Sequence, residues 1–141
     1  MTPTLTELKN RFEEYNKLYF GGQLGKCKFG YIYKSCGAYG KYSLLRKSNG
    51  TKESNIYICL EIKWSDELLK NTLIHEMVHM YVATIDGVEW DGVIGHGRYF
   101  RRQCKRLKKE FGLIITAHGT RTNDFPPSHL WERILLWVID R

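Results

Sequence analysis

Apolar side chains recur every three or four positions along the start of the chain, which predicts an amphipathic helix. Thr4 and Glu7 have the Thr-x-x-Glu spacing of a capping box, so this helix should begin beside them. It should end near Gly21 and Gly22, because glycine readily adopts the left-handed conformation that closes many helices. The apolar positions are Leu5, Leu8, Phe12, Tyr15 and Tyr19.

Three short segments rich in aromatic and β-branched residues come next and predict strands. They cover residues 28–34, 39–45 and 55–60. In the last segment Ile56 and Ile58 alternate with Tyr57 and Cys59, which is typical of a strand with one buried face. Residues 47–51 contain an Asn-Gly pair, which favours a tight turn between two strands. We therefore expect a small antiparallel sheet.

Two further helices are predicted in the second half of the chain. Ser65 can cap a helix over residues 66–84, whose first turn contains acidic residues that suit the helix dipole. A third helix should run over residues 97–111 and stop at Gly112. Because apolar groups surround the second helix almost completely, we expect this helix to be buried and the sheet to pack on it.

The connections and the C-terminal part complete the predicted fold. Asp-Gly pairs at 86–87 and 91–92 predict turns between the second and third helices. Residues 113–117 favour one more strand, and residues 128–139 favour a last, apolar helix. The fold class that follows is α+β, with N- and C-terminal helices flanking the sheet in a single domain over residues 1–141.

Composition narrows the class of protein. The 141 residues are 43% apolar and 26% charged, which excludes a disordered chain and a bare coiled coil. The apolar run at 134–139 is far too short to cross a bilayer, and no secretory-signal pattern is visible at the start. The four cysteines form no Cys-x-x-Cys pair, so we expect reduced thiols in a cytoplasmic protein without membrane contact. The alternative for the cysteines is a disulfide or a cysteine zinc site, which their spacing does not favour.

Positive charge is concentrated on the third predicted helix. The chain has 22 Lys and Arg against 15 Asp and Glu, and seven of these cations lie between residues 98 and 109 without an acidic neighbour. A solvated face is the ordinary explanation, and a phosphate-binding surface is the functional one. The candidate nucleic-acid contacts are Arg98, Arg101, Arg102, Lys105, Arg106 and Lys109. Cations near the predicted hairpin would extend this surface: Lys41, Arg46, Lys47 and Lys52.

Residues 75–79 spell His-Glu-x-x-His on the buried helix. His75 and His79 lie on one helix face at this spacing, so both imidazoles can bind one zinc ion. Glu76 would lie beside the open position of the metal, where it can take a proton from water. The alternative is a pair of core histidines that bond to backbone groups, but a metal explains better why a buried helix contains all three residues.

A catalytic zinc ion needs a third protein ligand. The metzincin continuation would place histidine at position 85, where this chain has Ile85, so that class is excluded. The remaining candidates are Asp86, Glu89, Asp91 and His96. His96 is favoured because it lies between two glycines, which allow the backbone to approach a metal closely. The alternative for His96 is an exposed loop histidine.

These motifs together resemble the SprT-like metallopeptidase domain, which is also found in the Spartan proteases. The residues that carry the resemblance are His75-Glu76-Met77-Val78-His79, Gly95-His96-Gly97 and Phe100, with Leu73-Ile74 before them and Asn16, Tyr19-Phe20, Gly22 and Leu24 upstream. The resemblance covers residues 5–111. Residues 112–141 depart from many relatives, since they contain no cysteine with which to build a zinc ribbon.

The resemblance implies a zincin-like fold and a protease. It implies zinc as the cofactor, with His75, His79 and His96 as its ligands and Glu76 as the catalytic acid and base. It also implies DNA-bound or DNA-crosslinked proteins as substrates, which would give the basic helix DNA as its partner. Such an enzyme could hold an extended peptide along an exposed strand edge, for which residues 55–60 are our candidate.

Three functions are therefore open. The first is a zinc endopeptidase that acts on DNA-associated protein. The second is a zinc-dependent hydrolase of RNA phosphodiester bonds, and the third is a non-catalytic nucleic-acid-binding module with structural zinc. Glu76 favours peptide hydrolysis, and a three-histidine site disfavours structural zinc, which usually has four protein ligands. We expect a monomer, with a dimer as the alternative.

Overall fold

The computed structural model describes residues 2–33, 39–89 and 96–115. Three helices and one sheet form an α+β fold, as the sequence predicts, and the arrangement is compatible with a zincin. In chain order the elements are α1 (Leu5–Tyr19), β1 (Cys27–Ile32), β2 (Gly40–Arg46), β3 (Lys52–Cys59), α2 (Asp66–Thr84) and α3 (Arg98–Phe111).

The sheet is mixed, so the prediction of a purely antiparallel sheet was wrong. β2 and β3 form the predicted antiparallel hairpin, but β1 pairs with β3 in parallel and the strand order is β1-β3-β2. The most buried strand, β3, thus takes the centre, where Ile56 and Ile58 are fully buried. The chain must cross from β1 to the far edge before the hairpin returns, which makes the outer strands antiparallel to each other.

The strand order also decides which edge a peptide could reach. β3 is paired on both sides, so residues 55–60 offer no free edge and our substrate-edge prediction was wrong. β2 lies at one edge of the sheet that the structure describes. This edge strand begins at Gly40, beside the middle of α2.

α1 begins and ends as predicted. The Thr4 side chain accepts from the amide of Glu7, and the Glu7 carboxylate accepts from the amide of Thr4, so the capping box is complete. After the helix, Gly21 and Gly22 have positive φ values. The Asn16 side chain then bonds both backbone groups of Leu24, at 2.9 and 3.1 Å. This pair of bonds fixes the turn that leads into β1.

α2 is the central element of the core. Ser65 caps it through the amide of Leu68, and the helix covers the predicted residues. Its buried positions surround most of its circumference, since the sheet and α3 both pack against it. α3 buries Phe100 and Leu107 and ends at Gly112, which has the left-handed conformation that we predicted.

Other predictions concern the ends and connections. Gly87 has a positive φ of 71°, as an Asp-Gly turn requires, whereas the turn at 91–92 lies outside the described residues. Residues 113–115 are not in a strand, and residues 116–141, with the predicted last helix, also lie outside them. Cys27 and Cys104 are free thiols. Among the helices that the structure describes, none combines the length and apolar character that a membrane crossing requires.

Candidate metal centre

Three histidines from two elements converge at one point. His75 and His79 lie one turn apart on α2, and His96 lies just before the first turn of α3. The Nε2 atom of His96 is 3.1 Å from Nε2 of His79 and 3.2 Å from Nε2 of His75. The structure therefore brings together the three residues that the sequence suggested as ligands.

These distances fit a tetrahedral metal. Zinc binds imidazole nitrogen at about 2.0–2.1 Å, which separates neighbouring ligand nitrogens by about 3.3 Å. A neutral imidazole has only one N–H group, so hydrogen bonds among three converging Nε2 atoms cannot satisfy all of them. Burial and the neighbouring His75 and His96 hold the pKa of His79 well below its usual value, which keeps it in the neutral form that a metal binds.

Phe100 holds the three imidazoles from one side. Its fully buried ring lies 4.9, 4.5 and 4.8 Å from the ring centroids of His75, His79 and His96. Because Phe100 is on the first turn of α3, packing of that turn against α2 also positions His96. The sequence indicated Phe100 as a core residue but gave no sign that it contacts every candidate ligand.

Glu76 lies beside this histidine cluster and is almost fully buried. One carboxylate oxygen is 4.0 Å from Nε2 of His75. Burial raises the pKa of Glu76 to about 8, while the positive charge of Lys41 and a hydrogen bond from the Tyr42 amide oppose this rise. The carboxylate is thus held between α2 and the edge strand.

Gly40 makes that position possible. A Cβ atom at Gly40 would lie 2.9 Å from Cγ2 of Thr72 and 3.2 Å from Cγ of Glu76. A larger residue would therefore push α2 away from β2. Sequence reasoning missed Gly40, and the available signal was a glycine at the start of a predicted strand, which often marks a close approach of another segment.

Comparison with known families now settles the class of domain. The SprT-like family matches residues 8–121, which is most of the chain. The chain belongs to the SprT-like family. This family is metallopeptidase-like, and the three histidines agree with that character. A search of curated proteins found no match.

The basic residues of this SprT-like domain fall into two groups. Five candidate contacts are exposed on α3: Arg98, Arg101, Arg102, Lys105 and Lys109. Arg106 is different, because its guanidinium donates to the Tyr19 carbonyl at 2.7 Å and to Gln103 at 2.8 Å, and it lies over the Phe20 ring. Arg106 therefore joins α3 to the end of α1 and is not part of the exposed basic face.

Most of the candidate cations of the hairpin also form ion pairs. Glu89 pairs with both Arg46 and Lys52, and Lys47 pairs with Glu53. Glu89 thus holds the segment after α2 against the hairpin instead of joining the histidines. A cavity of about 640 Å³ lies beside these ion pairs, with Leu44 of β2 in its wall.

Proposed function

We propose that this SprT-like domain is a zinc-dependent endopeptidase that hydrolyses peptide bonds in DNA-associated proteins. The observation that supports it best is the position of the Glu76 carboxylate, 4.0 Å from Nε2 of His75 in a cluster of three converging imidazoles. A carboxylate in this position would accept a proton beside a site whose nitrogen spacing fits a tetrahedral metal.

Metal binding and proton transfer are carried out by different residues of the site in this proposal. His75, His79 and His96 would hold zinc, which when bound supplies a Lewis acid that polarises the scissile carbonyl and activates water. Glu76 accepts a proton from the attacking water and donates it to the leaving amine. The amide of Tyr42 and the close packing of Gly40 orient this carboxylate. Phe100 keeps the imidazoles in place and excludes water behind them.

The edge strand β2 supplies the surface for an extended substrate. Its odd-numbered residues bond to β3, since the Tyr39 carbonyl accepts from Cys59 and the Lys47 amide donates to Thr51. The alternation of an antiparallel pair then turns the amide and carbonyl groups of Gly40 and Leu44 and the carbonyl of Tyr42 outward, while the Tyr42 amide donates to the Glu76 carboxylate. A peptide running antiparallel to β2 could bond to these groups and pass Glu76.

The exposed cations of α3 support DNA as a partner. The helix starts directly after His96, so its basic face begins next to the candidate metal centre. Five exposed cations without described acidic partners would bind phosphate groups and place DNA-bound protein near Glu76. We keep a monomeric, cytoplasmic enzyme as our prediction.

The number of ligands supports catalysis over a structural metal. Among the residues that the structure describes, the group that could hold a metal contains three histidines. Structural zinc sites usually have four protein ligands, while catalytic sites leave one position for water or substrate.

The test compares zinc-loaded protein with Glu76→Gln, which should retain zinc but lose turnover. The substrates are casein, a DNA-binding protein with and without duplex DNA, and a labelled RNA. We expect cleavage of protein by the parent only, and faster cleavage of the DNA-binding protein when DNA is present. Cleavage of RNA alone, or undiminished proteolysis by Glu76→Gln, would contradict the proposal.

A further inference from the structure

Lys41 occupies a special place on the edge strand. It lies between Gly40, which packs on Glu76, and Tyr42, whose amide bonds to the Glu76 carboxylate. A peptide bond presented to Glu76 along β2 therefore passes directly beside Lys41. Side chains alternate along a strand, so Lys41 points to the sheet face opposite the one on which Gly40 meets α2.

Lys41 is a half-buried residue, and its ammonium group makes no ion pair with any described carboxylate. Two carboxylates that contact the hairpin are already bound, since Glu53 of β3 pairs with Lys28 and Lys47, and Glu89, which follows α2, pairs with Arg46 and Lys52. Burial lowers the pKa of Lys41, and the charge of Glu76 opposes this effect without a direct contact. A partly desolvated cation without a partner among the described carboxylates is costly, so an incoming anion would be favourable here.

The pairing geometry of β2 indicates where that anion would come from. Lys41 directs its own amide and carbonyl toward β3. Opposite an added antiparallel strand, such a residue forms a non-hydrogen-bonded pair, in which the two side chains approach most closely. The substrate residue across from Lys41 therefore places its side chain beside the ammonium group.

We propose that Lys41 determines substrate specificity by binding an acidic side chain of the peptide, in the residue next to the scissile bond. The inference rests on the proposed peptidase function and adds a preference for Asp or Glu at one substrate position. Lys41 thus acts on substrate choice, whereas Glu76 acts on proton transfer.

Binding measurements test this separately from turnover. Labelled peptides that carry Glu, Gln or Lys at each central position in turn are titrated into zinc-loaded Glu76→Gln protein. We expect the best Glu peptide to bind about fivefold more tightly than its Gln counterpart. In the same background, Lys41→Met should remove this ratio, Lys41→Arg should retain it and Lys41→Glu should favour the Lys peptide. Lys9→Met, at an exposed lysine of α1, which packs against β1 at the other end of the strand order, is the matched control and should retain it.

The outcomes separate the two proposals. Equal binding of Glu and Gln peptides, absence of peptide binding, or a preference that persists in Lys41→Met would overturn the role of Lys41. If the preference follows Lys41 but the parent protein cleaves no peptide, the endopeptidase proposal fails and the recognition of acidic peptides stands. A uniform fall in the cleavage of all peptides by Lys41→Met, with the Glu-to-Gln binding ratio unchanged, would assign Lys41 to general electrostatics and overturn its role in specificity.

Discussion

Gly40 and Glu76 pack against each other where the edge strand crosses α2, close enough that a Cβ atom at Gly40 would lie 3.2 Å from Cγ of Glu76. The same strand then donates the Tyr42 amide to the Glu76 carboxylate. β2 therefore fixes the proposed acid and base, and it is also the strand on which we propose that a peptide binds.

Gly40→Ala should lower both stability and activity. The new methyl group would approach Thr72 to 2.9 Å, so α2 and β2 must separate slightly, at a cost of about 1–3 kcal/mol in the free energy of unfolding. Urea denaturation and peptide cleavage measure the two effects. Gly25→Ala is the control, because nothing lies near its Cβ position, and its stability should change by less than about 0.5 kcal/mol. Equal behaviour of the two variants would contradict the packing argument.

Phe100→Leu should weaken zinc binding. The loss of zinc affinity should be larger than a general loss of folding stability would cause. Removal of the ring leaves three imidazoles without their common support, and we expect about tenfold weaker zinc affinity. Competition with a chromophoric chelator measures it. Leu107→Val removes volume from an equally buried site on α3 and should destabilise the fold by about 1 kcal/mol while zinc affinity stays unchanged. A parallel loss of affinity in both variants would show that Phe100 acts through stability alone.

Substitutions of Arg106 and of Arg101 should have different effects on stability and on DNA affinity, although both residues lie on α3. Arg106→Gln breaks the bond to the Tyr19 carbonyl and should lower stability by about 1–2 kcal/mol, with DNA affinity unchanged. Arg101→Gln should leave stability within about 0.5 kcal/mol and should reduce both DNA affinity and its dependence on salt. Fluorescence anisotropy across a salt series, beside thermal unfolding, checks both. DNA binding that does not depend on salt would contradict phosphate binding by this basic face and would indicate an ordinary solvated surface.

Two thiols should resist alkylation in the folded protein. Burial raises the pKa of Cys27 and of Cys104 to about 12, so both are protonated at pH 8, whereas an unfolded thiol has a pKa of about 8.5. Their contribution to stability is fully present below about pH 8.5 and is lost as the pH rises towards 12. Iodoacetamide labelling with peptide mass mapping should find slow native modification and fast modification in denaturant. Rapid native labelling of either residue would show that it is more exposed than the structure indicates.

Local signals predicted the helices well. The capping box at Thr4, the cap at Ser65 and the left-handed Gly112 depend on neighbours in sequence, and each lies where the pattern placed it. The spacing of His75 and His79 on one helix is equally local. The position of His96 is not determined locally, because its imidazole reaches the other two histidines only when α3 packs against α2.

Tertiary contacts explain what the sequence could not predict. The parallel pairing of β1 with β3 joins residues that are distant in sequence, and alternation along each strand is the same whichever neighbour it has. The sequence of α3 predicts Arg106 to belong with the other cations of this helix. The side chain of Arg106 instead binds the end of α1, whose position the sequence of α3 does not give. Likewise, only packing against Thr72 and Glu76 shows why position 40 is a glycine.

The most direct test of the account is the zinc content of the purified protein, with His96→Ala measured beside it. After dialysis against buffered zinc, elemental mass spectrometry should find about one zinc ion per parent chain and far less in the variant. His129→Ala removes another histidine of the chain and serves as the control, with parental zinc content expected. A parent protein that binds no zinc, or a His96→Ala variant that keeps its full complement, would contradict the three-histidine centre on which the proposed chemistry depends.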